Sequence, residues 1–267
     1  MPDKVRILFV GDVIGRPGRR ALNLHLPILV EKYSPSIIIG NGENAAGGIG
    51  ITEDVCRELF GKFDVITSGN HIWDKKEGLE CLEREPRLLR PDNYPDRNPG
   101  MGAYVCEVNG GIKVGVLNLQ GRVFMEPLEC PFSAADESLE NLRMQTNVII
   151  VDFHAEATSE KQALGWYLDG KVSAVIGTHT HVQTADERIL PKGTAYLTDV
   201  GMTGGYNSVI GMKKEQAIQR FLTSRPQRFE PAKGRLILSA VYLEIDIHSG
   251  RALRIKTENL IGNSSEE

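Results

Sequence analysis

Short runs of β-branched and aliphatic residues recur at 5–10, 36–39, 64–67, 147–153 and 172–176. A loop and usually a helical pattern follow each run, which is the texture of βαβ units around a mostly parallel sheet. Helical apolar spacing runs over 19–32, and shorter helices are predicted at 52–60 and 136–144. Asp74-Lys75-Lys76-Glu77 fits an acidic variant of the capping box, with Asp74 as N-cap of a helix reaching Glu85. Two other stretches alternate with period two. Residues 103–119 form two strands around Asn109-Gly110-Gly111, a strong hairpin signal, and 235–247 pairs with 252–260 around Ser249-Gly250. The second hairpin places Val241, Leu243, Ile245 and Ile247 on one face. The pattern predicts an α/β protein of mixed sheet and helices.

A chain of 267 residues, 41% of them apolar, can bury a sizeable core, and at ~150 residues per domain it suits one large domain as well as two small ones. The Pro-rich stretches 84–99 and 225–231 are short and join apolar segments, so one domain over 1–267 is expected, with the polar tail 262–267 frayed. The 31 Lys and Arg against 35 Asp and Glu leave a formal charge of −4. That argues against a sequence-independent binder of duplex nucleic acid, which needs a dense cationic surface, and leaves small or single-stranded phosphates open. Cys56, Cys81, Cys106 and Cys130 are too far apart for a C-x-x-C site and are expected as buried thiols in a reducing compartment. No run of ~18 apolar residues occurs, so no membrane association and a cytoplasmic location are expected. A homo-oligomer is the expected assembly on general grounds.

The ends of the predicted strands carry the chemistry. Gly11-Asp12 follows the first, Gly42-Glu43-Asn44 the second, Gly69-Asn70-His71 the third, His154 the fourth, and Gly177-Thr178-His179-Thr180-His181 the fifth. Ligands bind outside the carboxyl ends of strands in open α/β sheets, so these distant positions should converge. Singly each is weak, since a lone Asp after a strand is more often a turn residue or helix N-cap. Together they make a set of carboxylates, amides and imidazoles without thiolate, suited to Mn, Fe, Zn or similar ions. The set is too large for one tetrahedral ion. An extended His179-Thr180-His181 would turn both imidazoles to the same side, to serve one ion or two. His25, inside a helical pattern, and His248, beside a turn, are expected at the surface. The surplus among the 28 glycines clusters at 40–50 and 201–211, where backbone could approach metal or phosphate. Neither dinucleotide, P-loop nor nucleophile-elbow spacing is present.

This order of motifs resembles the calcineurin-like metallophosphoesterases, whose pattern runs D-x-H, G-D, G-N-H-[DE], H and G-H-x-H. Three departures mark a branch: Val13-Ile14 follow Asp12 with no histidine, Glu43 stands where the bridging Asp would be, and Ile72 follows Gly-Asn-His. With Gly-Asp-Val-Ile-Gly at 11–15, Asn-Gly-Glu-Asn-Ala-Ala-Gly-Gly at 41–48, Gly-Thr-His-Thr-His-Val-Gln-Thr at 177–184 and Thr-Asp-Val-Gly-Met-Thr-Gly at 198–204, the sequence is similar to the YmdB-type bacterial phosphodiesterases. The resemblance implies a four-layer α/β/β/α sandwich with two mixed sheets. It implies two metal ions, Asp12, Glu43, Asn44 and His181 holding one and Glu43, Asn70, His154 and His179 the other, with Glu43 bridging. Iron or manganese is implied, with zinc or magnesium as alternatives, and the substrate class is a small phosphodiester such as a 2′,3′-cyclic nucleotide.

The reaction expected of such a centre is in-line attack on phosphorus by a hydroxide shared between the ions. His71, adjacent to Asn70, is the expected general acid for the departing ribose oxygen. Asp74 could orient it, although its place before Lys75 reads more simply as an N-cap. No Arg or Lys lies within the ligand motifs, Arg16 and Arg122 being nearest along the chain, which favours a diester over a monoester dianion. A regulatory protein that binds cyclic nucleotides or RNA ends with slow turnover, and a phosphomonoesterase, are the alternative readings.

Overall fold

The computed structural model describes residues 3–108 and 110–263; Asn109 of the expected hairpin turn and residues 264–267 of the expected tail lie outside the described residues. The chain begins with β1 (Lys4–Val10), β2 (Asp12–Val13), α1 (Gly15–Tyr33), β3 (Ile37–Asn41), α2 (Glu53–Phe60) and β4 (Val65–Thr67), then a 3₁₀ turn at Asn70–Asp74 and α3 (Lys76–Arg84). It continues through β5 (Ala103–Val108), β6 (Ile112–Gln120), α4 (Pro131–Arg143), β7 (Ile149–His154), α5 (Thr158–Tyr167) and β8 (Ala174–Thr178). It ends with β9 (Arg188–Ile189), β10 (Ala195–Leu197), β11 (Met202–Gly205), α6 (Lys214–Thr223) and the long hairpin β12 (Leu236–Asp246) and β13 (Ala252–Gly262).

Two mixed sheets result. The first runs β2-β11-β12-β1-β3-β4, with β13 along the other edge of β12; the second runs β5-β6-β7-β8-β10-β9. Alternation explains the layering. On β1, Val5, Ile7 and Phe9 join Ile150, Ile176, Val241 and Leu243 in a core between the sheets, while Leu8 and Val10 turn to Leu22, Leu26 and Leu29 of α1 on the outer face. The second sheet covers its outer face in the same way, with Leu139 and Leu142 of α4 and Leu164 of α5 against Leu119, Val151 and Phe153. Strands buried on both faces need apolar residues at every position, so the central runs show little polar alternation. The order helices, sheet, sheet, helices is the expected α/β/β/α sandwich. Ile247 packs partly buried beside Val241, Leu243 and Ile245, as the hairpin alternation predicts.

The departures have local causes. α1 starts at Gly15 rather than 19, with Pro17 in its first turn, where the missing N–H breaks no helical bond. α4 likewise starts earlier than predicted, with Pro131 at its first position. α5 went unpredicted because its inward face holds Glu160 and Lys161, which break the apolar periodicity. β13 continues to Gly262, where it still pairs with Leu236, so this first residue of the expected tail belongs to the strand. His25 is not at the surface: it is buried on the inner side of α1, against the position of Gly262, and burial depresses its pKa. Cys56 and Cys81 are buried as expected, but Cys106 and Cys130 are only partly so, and all four thiols are free. Among the described residues no helix is long and apolar enough to cross a membrane.

The outer hairpin carries an acid-sensitive contact. Glu258 on β13 accepts hydrogen bonds from Lys32, at 2.8 Å, and from Tyr33, and pairs with Lys256 at 3.1 Å. Burial opposes its ionisation, but these three donors outweigh it and bring the pKa to about 2. A carboxylate whose pKa is lower folded than unfolded stabilises the fold above the unfolded value and loses that contribution as pH falls through the folded one. Glu258→Gln is therefore expected to cost about 1 kcal/mol at pH 7, with the gap to the parent closing between about 4.5 and about 2. Urea unfolding at pH 7 and pH 2.5 measures it; a gap of equal size at both would remove the charge from the explanation.

Candidate metal centre

The carboxyl ends of β1, β3, β4, β7 and β8 do converge, and the eight expected site residues form one chain of contacts. Close packing of backbone makes room for them. A Cβ on Gly69 would stand 2.1 Å from the His154 ring, and one on Gly11 would stand 2.1 Å from the Gly201 carbonyl oxygen. Both glycines are steric requirements of the site rather than loop filler.

His154 lies at its centre, fully buried. Its Nε2 is 3.2 Å from Glu43 Oε1, 3.2 Å from Asn70 Oδ1 and 3.0 Å from His179 Nδ1. On the other side of the ring, Nδ1 is 2.9 Å from Thr178 Oγ1, whose own proton goes to Asp152 Oδ1 at 2.7 Å. Thr178 must then accept from the imidazole, so Nδ1 carries a proton and Nε2 is the ring atom that meets the cluster. Burial opposes charge on the ring, but the Glu43 carboxylate raises the His154 pKa, so the proton on Nε2 is one that a bound cation would displace. His179 has the mirrored arrangement, with Nε2 3.2 Å from Glu156 Oε2, leaving Nδ1 to face the cluster. Burial, reinforced by the charge on His154, depresses the His179 pKa to about 3, so this ring is neutral. The potential ligand atoms of Glu43, Asn70, His154 and His179 therefore converge on one another. Glu43, His154 and His179 offer donor atoms all within 4.8 Å, a group that could hold a metal ion.

The neighbouring groups show the same demand for positive charge. Asp12 is fully buried, and its Oδ1 has no hydrogen-bond partner, lying 3.7 Å from His181 Nε2. Burial opposes its ionisation, but His181 outweighs this and brings Asp12 to about 2. Burial likewise disfavours charged His181, yet Asp12 lifts it to about 9. A cation would answer the same carboxylate, and His181 Nδ1, 2.9 Å from the Ile210 carbonyl, already has the bond that leaves Nε2 free as a ligand. Asn44 stands between the two halves, its Nδ2 3.0 Å from Glu43 Oε1 and 3.4 Å from His181 Nε2. As oriented it donates to Glu43; a half-turn of the amide would present Oδ1 at the same place. The oxygen and nitrogen donors, held by outer hydrogen bonds, fit divalent or trivalent first-row ions.

Two expectations fail here. His179 and His181 do not continue an extended strand: β8 ends at Thr178, and the two histidines have φ of 99° and 65°. Left-handed backbone at non-glycine residues costs of order 1–3 kcal/mol and persists only where the surroundings impose it. Asp12 accepts from the His179 N–H at 3.3 Å, and Asp199 accepts from the Thr180 N–H at 3.1 Å. Lys161 on α5 ties the segment down, donating to the Thr178 carbonyl at 2.7 Å and to Asp199 at 2.6 Å. Both ends of this ion pair are buried. Removing the cation alone leaves a buried uncompensated carboxylate, so Lys161→Met is expected to lose about 3–5 kcal/mol of stability. Adding Asp199→Asn should restore part of it; thermal unfolding of the two variants decides, and equal losses would exclude the ion pair as the cause.

Asp74 is the second correction. It does not cap α3, whose N-cap is Lys75 without a side-chain bond. Its carboxylate instead lies 2.6 Å from His71 Nδ1, within the tight 3₁₀ turn that brings residues three apart together. The His71 backbone N–H donates to Glu43 Oε2 at 2.9 Å, which fixes this dyad beside the buried cluster.

Above the cluster opens a cleft of about 800 Å³, lined by Asn44, His71, His179 and His181 at its base and by residues 46–49, Ile210, Met212 and 227–231 on its walls. Neither Arg16 nor Arg122 lines it; the cations that do are Lys75 and Arg228. Sequence reading also missed Asp152, whose burial lifts its pKa to about 7. A carboxylate inside the apolar run Ile149–His154 was its one visible signal. Asp199 lay in a motif already noted, whereas nothing local singles out Lys161, Lys75 or Arg228.

Facing mixed sheets with helices outside, and an oxygen and nitrogen donor cluster at their carboxyl edges, define a metallophosphoesterase-type α/β protein. The chain belongs to the YmdB-like protein family, whose family model matches residues 8–257. It is 52% identical over 253 residues, 94% of this chain and 96% of the relative, to a Bacillus subtilis protein named 2′,3′-cyclic-nucleotide 2′-phosphodiesterase. A solved structure described as a novel phosphatase from Mycoplasma pneumoniae superposes with a TM-score of 0.92 at 36% identity, covering 99% of this chain and 96% of that one. A hypothetical protein from Thermus thermophilus gives 0.89 at 47% identity, covering 96% and 99%.

Proposed function

We propose that the chain is a metal-dependent phosphodiesterase acting on 2′,3′-cyclic nucleotides. The observation that carries this reading is the cluster in which Glu43, Asn70, His154 and His179 bring their potential ligand atoms together. The name of the B. subtilis relative supports the substrate. In this reading Asp12, Asn44 and His181 would hold one ion and Asn70, His154 and His179 a second, with Glu43 shared between them and iron or manganese preferred to zinc or magnesium. Bound ions supply a polarised phosphoryl group and a water of lowered pKa.

The chain's own residues do the rest. As the general acid His71 acts in its doubly protonated form: Asp74 accepts from Nδ1–H and orients the ring, and Nε2–H gives its proton to the departing oxygen, leaving a neutral ring with its proton on Nδ1. In a cyclic diester cleaved as the relative's name describes, that oxygen is the ribose 2′ oxygen, and the product is a 3′-monoester. The preference for a diester rests on the relative, not on a lack of cations, since Lys75 and Arg228 border the cleft.

Hydrolysis of 2′,3′-cyclic AMP, bis(4-nitrophenyl) phosphate and 4-nitrophenyl phosphate, with Mn²⁺ and then with EDTA, tests the reading. Turnover of both diesters is expected, lost on chelation and restored by Mn²⁺, with the monoester slower. Absence of metal-dependent turnover on all three would favour a protein that binds cyclic ends without cleaving them.

A further inference from the structure

A 2′,3′-cyclic mononucleotide carries one negative charge, on the phosphate that the metal cluster would take. The cleft above offers more than that ligand can use. Lys75 and Arg228 both line it, and among the described residues neither side chain makes a hydrogen bond or an ion pair, the charge of Arg228 being felt by Glu230 nearby. The two acids on the same walls are engaged elsewhere: Glu156 lies against His179 at 3.2 Å, and Glu230 is paired with Lys213 at 2.6 Å. Beside Arg228, Phe229 also lines the cleft and is 42% exposed. An exposed aromatic ring sharing a cleft with two cations whose side chains are not hydrogen-bonded is a combination that binds single-stranded nucleic acid, the ring stacking a base and the cations meeting the backbone.

Resting on the proposed function, we infer that this cleft is built for the 3′ end of a single-stranded oligoribonucleotide. Its terminal 2′,3′-cyclic phosphate lies at the metal cluster, the preceding phosphodiester between Arg228 and Lys75, and a base against Phe229. The acidic protein would thus meet RNA only at a chain end, through two local cations, which agrees with a net charge of −4.

The test compares 2′,3′-cyclic AMP with the dinucleotide adenylyl-adenosine 2′,3′-cyclic phosphate in the Mn²⁺-loaded protein. For Arg228→Gln and Lys75→Gln, kcat/KM for the dinucleotide is expected to fall about tenfold further than for the mononucleotide, the size of a lost charge-assisted contact. Phe229→Ala should do the same and Phe229→Trp should not. A binding measurement keeps this separate from catalysis: fluorescence anisotropy of a labelled tetraribonucleotide ending in a 3′-phosphate, competed by 3′-AMP. The tetranucleotide is expected to bind at least about tenfold tighter, with the advantage shrinking as salt rises and lost in the double variant. Equal binding of the two ligands, or equal losses on both in the variants, overturns the inference. Tight tetranucleotide binding without turnover of any cyclic end would instead refute the proposed activity and leave the cleft assignment standing.

Discussion

Glu43→Gln is expected to lower turnover of 2′,3′-cyclic AMP by about 10³-fold or more, roughly 4 kcal/mol of activation free energy. Metal binding should be lost with it. The carboxylate is fully buried, with Oε1 beside His154 and Asn44 and Oε2 accepting from the His71 N–H. Burial disfavours its ionisation, but the charge and hydrogen bond of His154 hold its pKa below the usual range. The folded protein therefore keeps a buried anion that positive charge must answer. Glutamine preserves the shape and removes the charge, so the two halves of the cluster lose their common ligand. Its effect on stability should separate the roles. Without added metal the variant should unfold below the parent temperature, because deleting the carboxylate leaves buried His154 without its counter-charge. With Mn²⁺ the parent should gain stability and the variant should not, since an ion that binds only the folded state stabilises by mass action. Calorimetry and metal content measure both, and a fully loaded, active variant would end the bridging assignment.

His71→Ala is expected to lower kcat by about 10²- to 10⁴-fold while the metal content stays at the parent level. His71 bonds to the cluster through its backbone N–H, which alanine retains, while its imidazole pairs with Asp74. Asp74→Asn should cost less, roughly tenfold, because it loosens the ring without removing the acid. Combining the two should cost no more than His71→Ala alone, since residues acting as one unit are not additive. The leaving group provides an independent readout. A 4-nitrophenolate departs without protonation, so the loss on bis(4-nitrophenyl) phosphate should be far smaller than on the cyclic nucleotide. Equal losses on both substrates would assign His71 to shape or metal retention instead.

The architecture was legible wherever burial imposed a period. Runs such as Val5–Val10 are apolar throughout because both faces are covered, and the last hairpin alternates because its strands present distinct faces. The candidate ligands were legible for a related reason: the ends of parallel strands share one edge, so residues distant in sequence fall into one place once the sheet order holds. Elements whose inward face is polar were hidden. Lys161 and Glu160 make α5 look like a surface segment, although Lys161 is among the most deeply buried side chains of the molecule.

Periodicity and chain order suffice for the strand and helix frame and for the set of residues at the carboxyl edge. How those residues act is settled by contacts between elements. Such contacts turned Asp74 from a helix cap to a partner of His71, gave His179 and His181 left-handed backbone, and brought Lys75 and Arg228 to the same cleft. Each of these depends on a meeting across loops, where local propensity is weak and hydrogen bonding, charge and packing from other elements choose the conformation.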